Sequence, residues 1–245
     1  MRNPAARKAR KTKLQARVGV LSLLLLFSSF LLPSPSSAGG PSEQVRGTVE
    51  RVLTVVRNPK LRTEAQKENL RIQLAQVIEP SFDFTEMAKR SLGPHWGGRT
   101  AEEQGEFAQI FAGLLGRSYV QNIQYYIGQT VLYTREVEDK NYAQVDTTIV
   151  TENRADVSIN YRLHKVGKEW RVYDLVIEDI SVVNNYRSQF NRVILQSSFE
   201  NLVRIMQEKQ SKNSERVAPL NSAARLQRPS ISANLTRIFL TSVQD

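Results

Sequence analysis

The sequence contains no cysteine and only two histidines, His95 and His164, 69 residues apart. That excludes disulfides, cysteine nucleophiles, the usual zinc sites and the lipobox of a lipoprotein, so the mature chain must hold itself together by packing alone. G-x-G-x-x-G, Walker A and G-x-S-x-G patterns are missing as well. The stretch Gly93-Pro-His-Trp-Gly-Gly98 is rich in glycine, but it follows a helical pattern and lacks the lysine of a phosphate loop, so it reads as a bent connection. Asp139-Lys-Asn141 begins like a calcium loop, yet Gln144 stands where the invariant glycine belongs.

Acids are absent from residues 1–38, which carry seven bases between Arg2 and Arg17. The remaining 207 residues hold 27 bases against 24 acids, so the formal charge of +10 belongs mostly to the leader and does not mark a nucleic-acid binder. Behind the basic stretch, Val18 to Leu32 is apolar or small throughout, and Pro33-Ser-Pro-Ser-Ser-Ala38 follows. At 15 residues the apolar run is shorter than the roughly 18–20 that span a bilayer, and Ser36 and Ala38 stand at −3 and −1 for cleavage before Gly39. This predicts a cleaved secretory signal peptide over 1–38, with an uncleaved signal anchor as the alternative. No adjacent Arg pair is present there, which favours the Sec route. In a bacterium the destination is the periplasm.

The domain is expected over 39–210. Apolar residues at 45, 49, 52, 53 and 56 predict a helix over 42–57 closed by Asn58-Pro59. Thr63 with Gln66 reads as a capping box for a second helix ended by Pro80. Asp83 with Glu86 opens a third, and Thr100 with Glu103 opens a fourth that runs to about Ile127. Gly105, Gly113 and Gly116 each cost that fourth helix about 1 kcal/mol relative to alanine, which points to close packing there. Beyond Gly128 the period changes from 3.6 to 2. Thr130 to Val137, Tyr142 to Thr151, Val157 to Val166 and Glu169 to Ile177 predict a four-stranded antiparallel meander. In the third strand Val157, Ile159, Tyr161 and Leu163 oppose Ser158, Asn160, Arg162 and His164, so one face is dry and one wet. Ser181 starts a further helix, and Ser197 with Glu200 caps the last, ending near Lys209. Helices, one sheet, then helices make the fold class α+β. Residues 211–245 are polar with one apolar cluster, Ile238-Phe-Leu240, and read as a flexible tail or as a segment docking through Phe239.

Asp174 sits in a strand whose alternate positions are Trp170, Val172 and Val176, which turns it toward the interior, where pairing with a base such as Arg187 would satisfy it. The middle of the chain is rich in large apolar residues, from Phe82 to Tyr173. These fill a core, or line a cavity if a curved dry sheet is covered by the long glycine-bearing helix.

Phe82-Asp-Phe-Thr-Glu-Met-Ala88, Leu92-Gly93, Trp96, Phe107, Phe111, Leu115, Tyr119, Tyr161-Arg-Leu163, Trp170-Arg-Val-Tyr-Asp174, Ser181, Asn185-Tyr-Arg187 and Phe190 together resemble the MlaC/toluene-tolerance (Ttg2-type) family of periplasmic phospholipid-binding proteins. The resemblance covers roughly residues 41–209. It implies an NTF2-like fold whose sheet and helices enclose a diacyl phospholipid, tails buried and headgroup near the surface. It further implies a shuttle that maintains outer-membrane lipid asymmetry, with an outer-membrane lipoprotein–porin complex and an inner-membrane MCE-domain ABC transporter as partners. The bound phospholipid is cargo; no cofactor, metal, nucleic acid or catalytic residue is implied, and the protein is expected to be a monomer. The lipid-binding residues expected on this basis are Phe84, Met87, Trp96, Phe111, Leu114, Leu115, Tyr119 and Ile123 from the helices. From the strands come Val145, Ile149, Ile159, Tyr161, Trp170, Val172 and Asp174, with Arg187 and Arg162 at the headgroup or a docking surface. Ile177-Glu-Asp179 departs from the family pattern, which commonly has a glycine there, and the tail after Lys209 is longer.

Physical chemistry agrees with a carrier. Each buried CH₂ is worth about 0.8 kcal/mol, so a diacyl lipid crosses water only when its tails are covered. Dry walls suffice for that, and the expected cavity lies at or above about 1,000 Å³. Two rivals fit the same residues: an enzyme on this fold with Asp174 as acid or base, and an adaptor with a solid core.

Overall fold

The computed structural model describes residues 39–61, 63–123, 128–151 and 155–215, with the side chains of 64, 67, 117–123 and 211–215 outside the description. The chain divides into two units, Met1–Ala38 and Gly39–Asp245, and the architecture below belongs to the second. The expected leader and the tail beyond 215 lie outside the described residues.

Among the described residues six α-helices and five strands follow in the order α1 (Pro41–Arg57), α2 (Lys67–Ile78), α3 (Phe84–Leu92), α4 (Ala101–Ile123), β1 (Thr130–Asp139), β2 (Tyr142–Val150), β3 (Val157–Val166), β4 (Glu169–Ile177), β5 (Ile180–Ser181), α5 (Val182–Gln196) and α6 (Phe199–Glu215). Among the described residues, no helix is long and apolar enough to cross a membrane.

Local signals set most helix starts. Thr100 and Glu103 form the reciprocal box, the Thr100 amide donating to Glu103 Oε2 at 2.8 Å and the Glu103 amide to Thr100 Oγ1 at 3.2 Å. Asp83 caps α3 by accepting from the Glu86 amide at 2.8 Å, and Ser181 caps α5 by accepting from the Asn184 amide at 3.0 Å. Two expectations need correction. A 3₁₀ turn over Glu64–Gln66 separates Thr63 from α2, which starts only at Lys67 with Gln66 as its N-cap residue. The last helix uses Ser198, whose hydroxyl accepts from the Asn201 amide at 3.2 Å, one residue later than expected.

The sheet is an antiparallel meander in the order β1-β2-β3-β4-β5, so it has five strands and not four. The fifth arises because Glu178 and Asp179 adopt φ values of 48° and 64°. Two successive left-handed residues make a tight reversal matched to sheet twist, and Ile180 and Ser181 return to pair with Ile177 and Val176. Neither residue is glycine, so each pays roughly 1–2 kcal/mol for the conformation. The other edge contact of β4 comes from Phe82, which forms a parallel bridge to Val172 while the Asp83 amide donates to Val172 O at 2.9 Å.

The apolar residues form two clusters. The larger joins Met87, Leu92, Phe107, Phe111, Leu114, Leu115, Tyr186, Phe190, Leu202 and Met206 with Ile149, Val157 and Ile177 of the sheet. At its centre the rings of Phe107, Phe111, Tyr186 and Phe190 meet with centroids 5.1–6.2 Å apart. The smaller holds Val45 of α1 with Ala143, Val145, Leu163, Trp170 and Val172, and Phe82 and Leu175 touch both. The long helix α4 packs mainly on α3 and α6, whereas α1 lies against β1 and β2. The expectation that α4 crosses the dry face therefore needs revision, since α1 takes the part of that face around Val145, Leu163 and Val172.

Candidate binding site

Cross-strand pairing sorts the strand residues onto two faces. Val145 pairs with Tyr161, Ala143 with Leu163, and Leu163 with Val172. Paired residues share a face, so these make the dry inner one, continued by Ile149, Ile159 and Trp170. A bulge between Arg162 and Leu163 leaves Tyr173 as the extra residue opposite them. Alternation in β4 then slips by one. Beyond the bulge Leu175 and Ile177 take the inner face, while Asp174 joins Arg162 on the outer one.

That slip corrects the reading of Asp174. It is buried at 3% exposure, yet it is turned away from Trp170 and Val172. Its carboxylate accepts from Ser181 Oγ at 2.7 Å, from the Val183 amide at 3.0 Å and from Arg162 Nη1 at 3.3 Å. The base is thus Arg162 and not Arg187. Since Ser181 and Val183 begin α5, the carboxylate sits at a helix N-terminus, where donors and dipole both favour negative charge. Arg187 is engaged elsewhere: its Nε donates to Arg90 O at 3.0 Å, near the C-terminal end of α3.

The outer face carries a continuous polar and aromatic surface. Arg90 lies over the Tyr173 ring at 4.2 Å, and that ring meets Tyr142 and His164 edge-on. Burial raises the Tyr173 phenol pKa, and Arg90 and Arg162 pull it back. His164 Nε2 sits 3.0 Å from Asp83 Oδ2, and His95 Nε2 sits 2.9 Å from Asn191 Oδ1. Among the described residues no group of three or more His, Asp or Glu could hold a metal ion.

On the inner face, Gln44, Val45, Thr48 and Val49 of α1 close over Ser81, Phe82, Tyr161, Leu163 and Val172 around a pocket of about 20 Å³. This admits about one water and is far below the volume expected for a diacyl lipid, because the α1 side chains occupy the space over the strands. Burial pushes the Tyr161 phenol pKa up, with Tyr133 adding to the rise and Thr147 opposing it, so the hydroxyl stays neutral.

The expected lipid-binding residues are thereby distributed. Val145, Tyr161, Trp170 and Val172 belong to the pocket cluster; Met87, Phe111, Leu114, Leu115 and Ile149 lie in the larger core, with Phe84, Trp96 and Ile159 packed against it. The side chains of Tyr119 and Ile123 lie outside the description. Gln44, Thr48 and Ser81 escaped the sequence reading; Gln44 and Thr48 border the apolar stripe of α1 four residues apart, and that flank was their only signal.

Residues 46–208 match the family profile described as MlaC protein. The chain belongs to the MlaC family. It is 20% identical over 195 residues, 77% of this chain and 91% of the relative, to the intermembrane phospholipid transport system binding protein MlaC of Haemophilus influenzae. It is 23% identical over 170 residues, 69% of this chain and 79% of the relative, to the toluene tolerance protein ttg2D of Pseudomonas putida. A solved phospholipid-binding protein from Ralstonia solanacearum, in complex with a phospholipid, superposes with a TM-score of 0.64 at 27% identity. That match covers 70% of this chain and 97% of the other. The stretch matched to the MlaC profile takes in most of α1 and every strand, so both sheet faces lie within the family core.

Proposed function

We propose that this chain is an exported phospholipid carrier whose cargo tails lie against the inner face of the sheet. The observation that carries the reading is the similarity to the R. solanacearum protein, which holds a phospholipid and is matched over 97% of its length. The apolar patch of Val145, Leu163, Trp170 and Val172 on that face supports it, since hydrocarbon needs dry walls and no reacting group. In this reading residues 1–38 are a cleaved Sec leader, 39–210 form the NTF2-like lipid-binding domain and 211–245 a polar tail. The mature protein shuttles a diacyl phospholipid across the periplasm between an outer-membrane lipoprotein–porin complex and an inner-membrane MCE-domain ABC transporter, maintaining outer-membrane lipid asymmetry. Arg162 and Arg187, on the outer surface with Arg90, serve docking, where attraction is weakened by salt. Asp174 serves structure and not catalysis, because its carboxylate is taken up by Arg162, Ser181 and Val183.

Native mass spectrometry of protein purified from cells tests the cargo. A phospholipid mass is expected on the folded protein and is lost on delipidation; protein that carries none and takes none from vesicles would end the carrier reading. The two neighbouring glycines of α4 sharpen the test. A Cβ on Gly113 would stand 2.7 Å from Gln210 Nε2, the end of a flexible side chain that donates to Ile110 O, so a substitution there displaces Gln210. At Gly116 nothing described lies within 4 Å. Gly116→Trp should therefore keep its melting temperature and reduce bound phospholipid. A packed site would instead lose about 1–3 kcal/mol by overpacking, and early melting with full lipid occupancy would show that Gly116 does not border the cargo.

A further inference from the structure

We propose that α1 is a hinged cover over an acyl-chain site on the sheet, latched shut by the side chains of Gln44 and Thr48. The inference rests on the phospholipid reading and adds to it which element opens and which residues hold it closed. The two apolar clusters differ in what α1 contributes. The larger contains no residue of α1, whereas the smaller takes Val45 and Val49 from it. Lifting α1 thus uncovers Val145, Leu163 and Val172 and leaves the aromatic nest of Phe107, Phe111, Tyr186 and Phe190 intact. By contrast α3, α4, α5 and α6 all contribute residues to the larger cluster.

The attachment is polar and local. The Gln44 side-chain amide mimics a strand neighbour on β4: its Nε2 donates to Trp170 O, and its Oε1 accepts from the Trp170 amide at 3.2 Å. One turn along, Thr48 Oγ1 meets Ser81 Oγ at 2.7 Å in a buried contact. At the start of the helix the Ser42 amide donates to Glu136 Oε2 at 2.8 Å, and Arg46 lies over the Tyr133 ring at 4.0 Å. Water can replace the Gln44 and Ser42 bonds when the helix rises, since the β4 backbone at Trp170 pairs with no further strand and the Glu136 contact is exposed. Behind the helix the chain turns extended at Asn58, with ψ of 111°, ahead of Pro59, and is anchored by buried Leu61. That bend is the hinge.

The pocket beneath has the composition of a chain site. It is apolar apart from Gln44 and the hydroxyls of Thr48, Ser81 and Tyr161, and no charged group lines it. Its volume of about 20 Å³ is too small for a hydrocarbon chain, so a tail that occupies this pocket requires α1 to move. The latch then sets the rate of loading and release, as lids do where closure sequesters a ligand.

A disulfide staple tests this, and the absence of cysteine from the chain makes an introduced pair unique. The Thr48 and Ser81 oxygens, 2.7 Å apart, put sulfur atoms at the same positions within reach of a 2.05 Å bond. The full chain carrying Thr48→Cys and Ser81→Cys is purified from cells, delipidated, and mixed with dioleoylphosphatidylglycerol vesicles, oxidised or reduced with dithiothreitol, and bound lipid is followed by native mass spectrometry. Oxidised protein should load at least about tenfold more slowly than reduced protein, while wild type is indifferent to the reductant. In a second variant, Gln44→Ala, lipid exchange should be severalfold faster than in wild type with the aromatic nest still folded by near-ultraviolet circular dichroism. Equal loading of the oxidised and reduced pair, or unchanged exchange in Gln44→Ala, would overturn the cover while the carrier reading stands. Wild type that takes up no phospholipid would overturn the carrier reading and this inference together.

Discussion

Phe111→Ala should lower the free energy of unfolding by about 3–5 kcal/mol. The ring is fully buried, stacked on Phe107 at 6.2 Å and edge-on to Tyr186 at 5.1 Å and Phe190 at 5.6 Å. Truncation removes the transfer free energy of the ring and leaves a void that the neighbouring rings, held by α4 and α5, cannot collapse to fill. Domains of this size have only about 5–15 kcal/mol in total, so the variant should unfold at much lower urea. Urea denaturation with matched slopes is the measurement. A loss under about 1 kcal/mol would mean that the ring borders open space, as the lipid-facing role implied by the family resemblance requires.

The second large effect is at Asp174. Asp174→Ala should cost about 2–4 kcal/mol, because the Val183 amide and Ser181 hydroxyl lose a charged acceptor inside the protein. The Arg162 side chain is 39% exposed and recovers water, which keeps the cost below that of a fully buried pair. The reverse change, Arg162→Ala, should cost less than about 1 kcal/mol, since Asp174 keeps two donors. This asymmetry is the diagnostic. Equal costs for the two variants would mean that the ion pair, and not the α5 N-terminus, is what the carboxylate serves. Folded Asp174→Ala should still take up phospholipid; lipid hydrolysis present in wild type and missing from the variant would make Asp174 a catalytic group instead.

Legibility from sequence followed the range of each interaction. The box of Thr100 with Glu103 and the caps at Asp83 and Ser181 involve partners three residues away, so composition and spacing alone were enough to place them. The four long strands and the α+β class were readable for the same reason. Thr63 shows the limit even at short range: the same pattern yielded a 3₁₀ turn, and α2 starts only at Lys67.

The rest was decided across the fold. Nothing near Tyr173 announces a bulge, because a bulge exists only relative to the strand it pairs with. That one-residue slip turned Asp174 from the Trp170 face to Arg162. Glu178-Asp179 became a hairpin without glycine because pairing of Ile180 and Ser181 with β4 offsets the backbone strain. Gln44 reaches a strand residue 126 positions away, and α1 rather than α4 covers that part of the sheet. Most helix starts, the four long strands and the apolar pattern depend on neighbours within a turn or a pleat, and they can be read along the chain. Register, face and cover depend on which distant surfaces meet, and they exist only in the folded molecule.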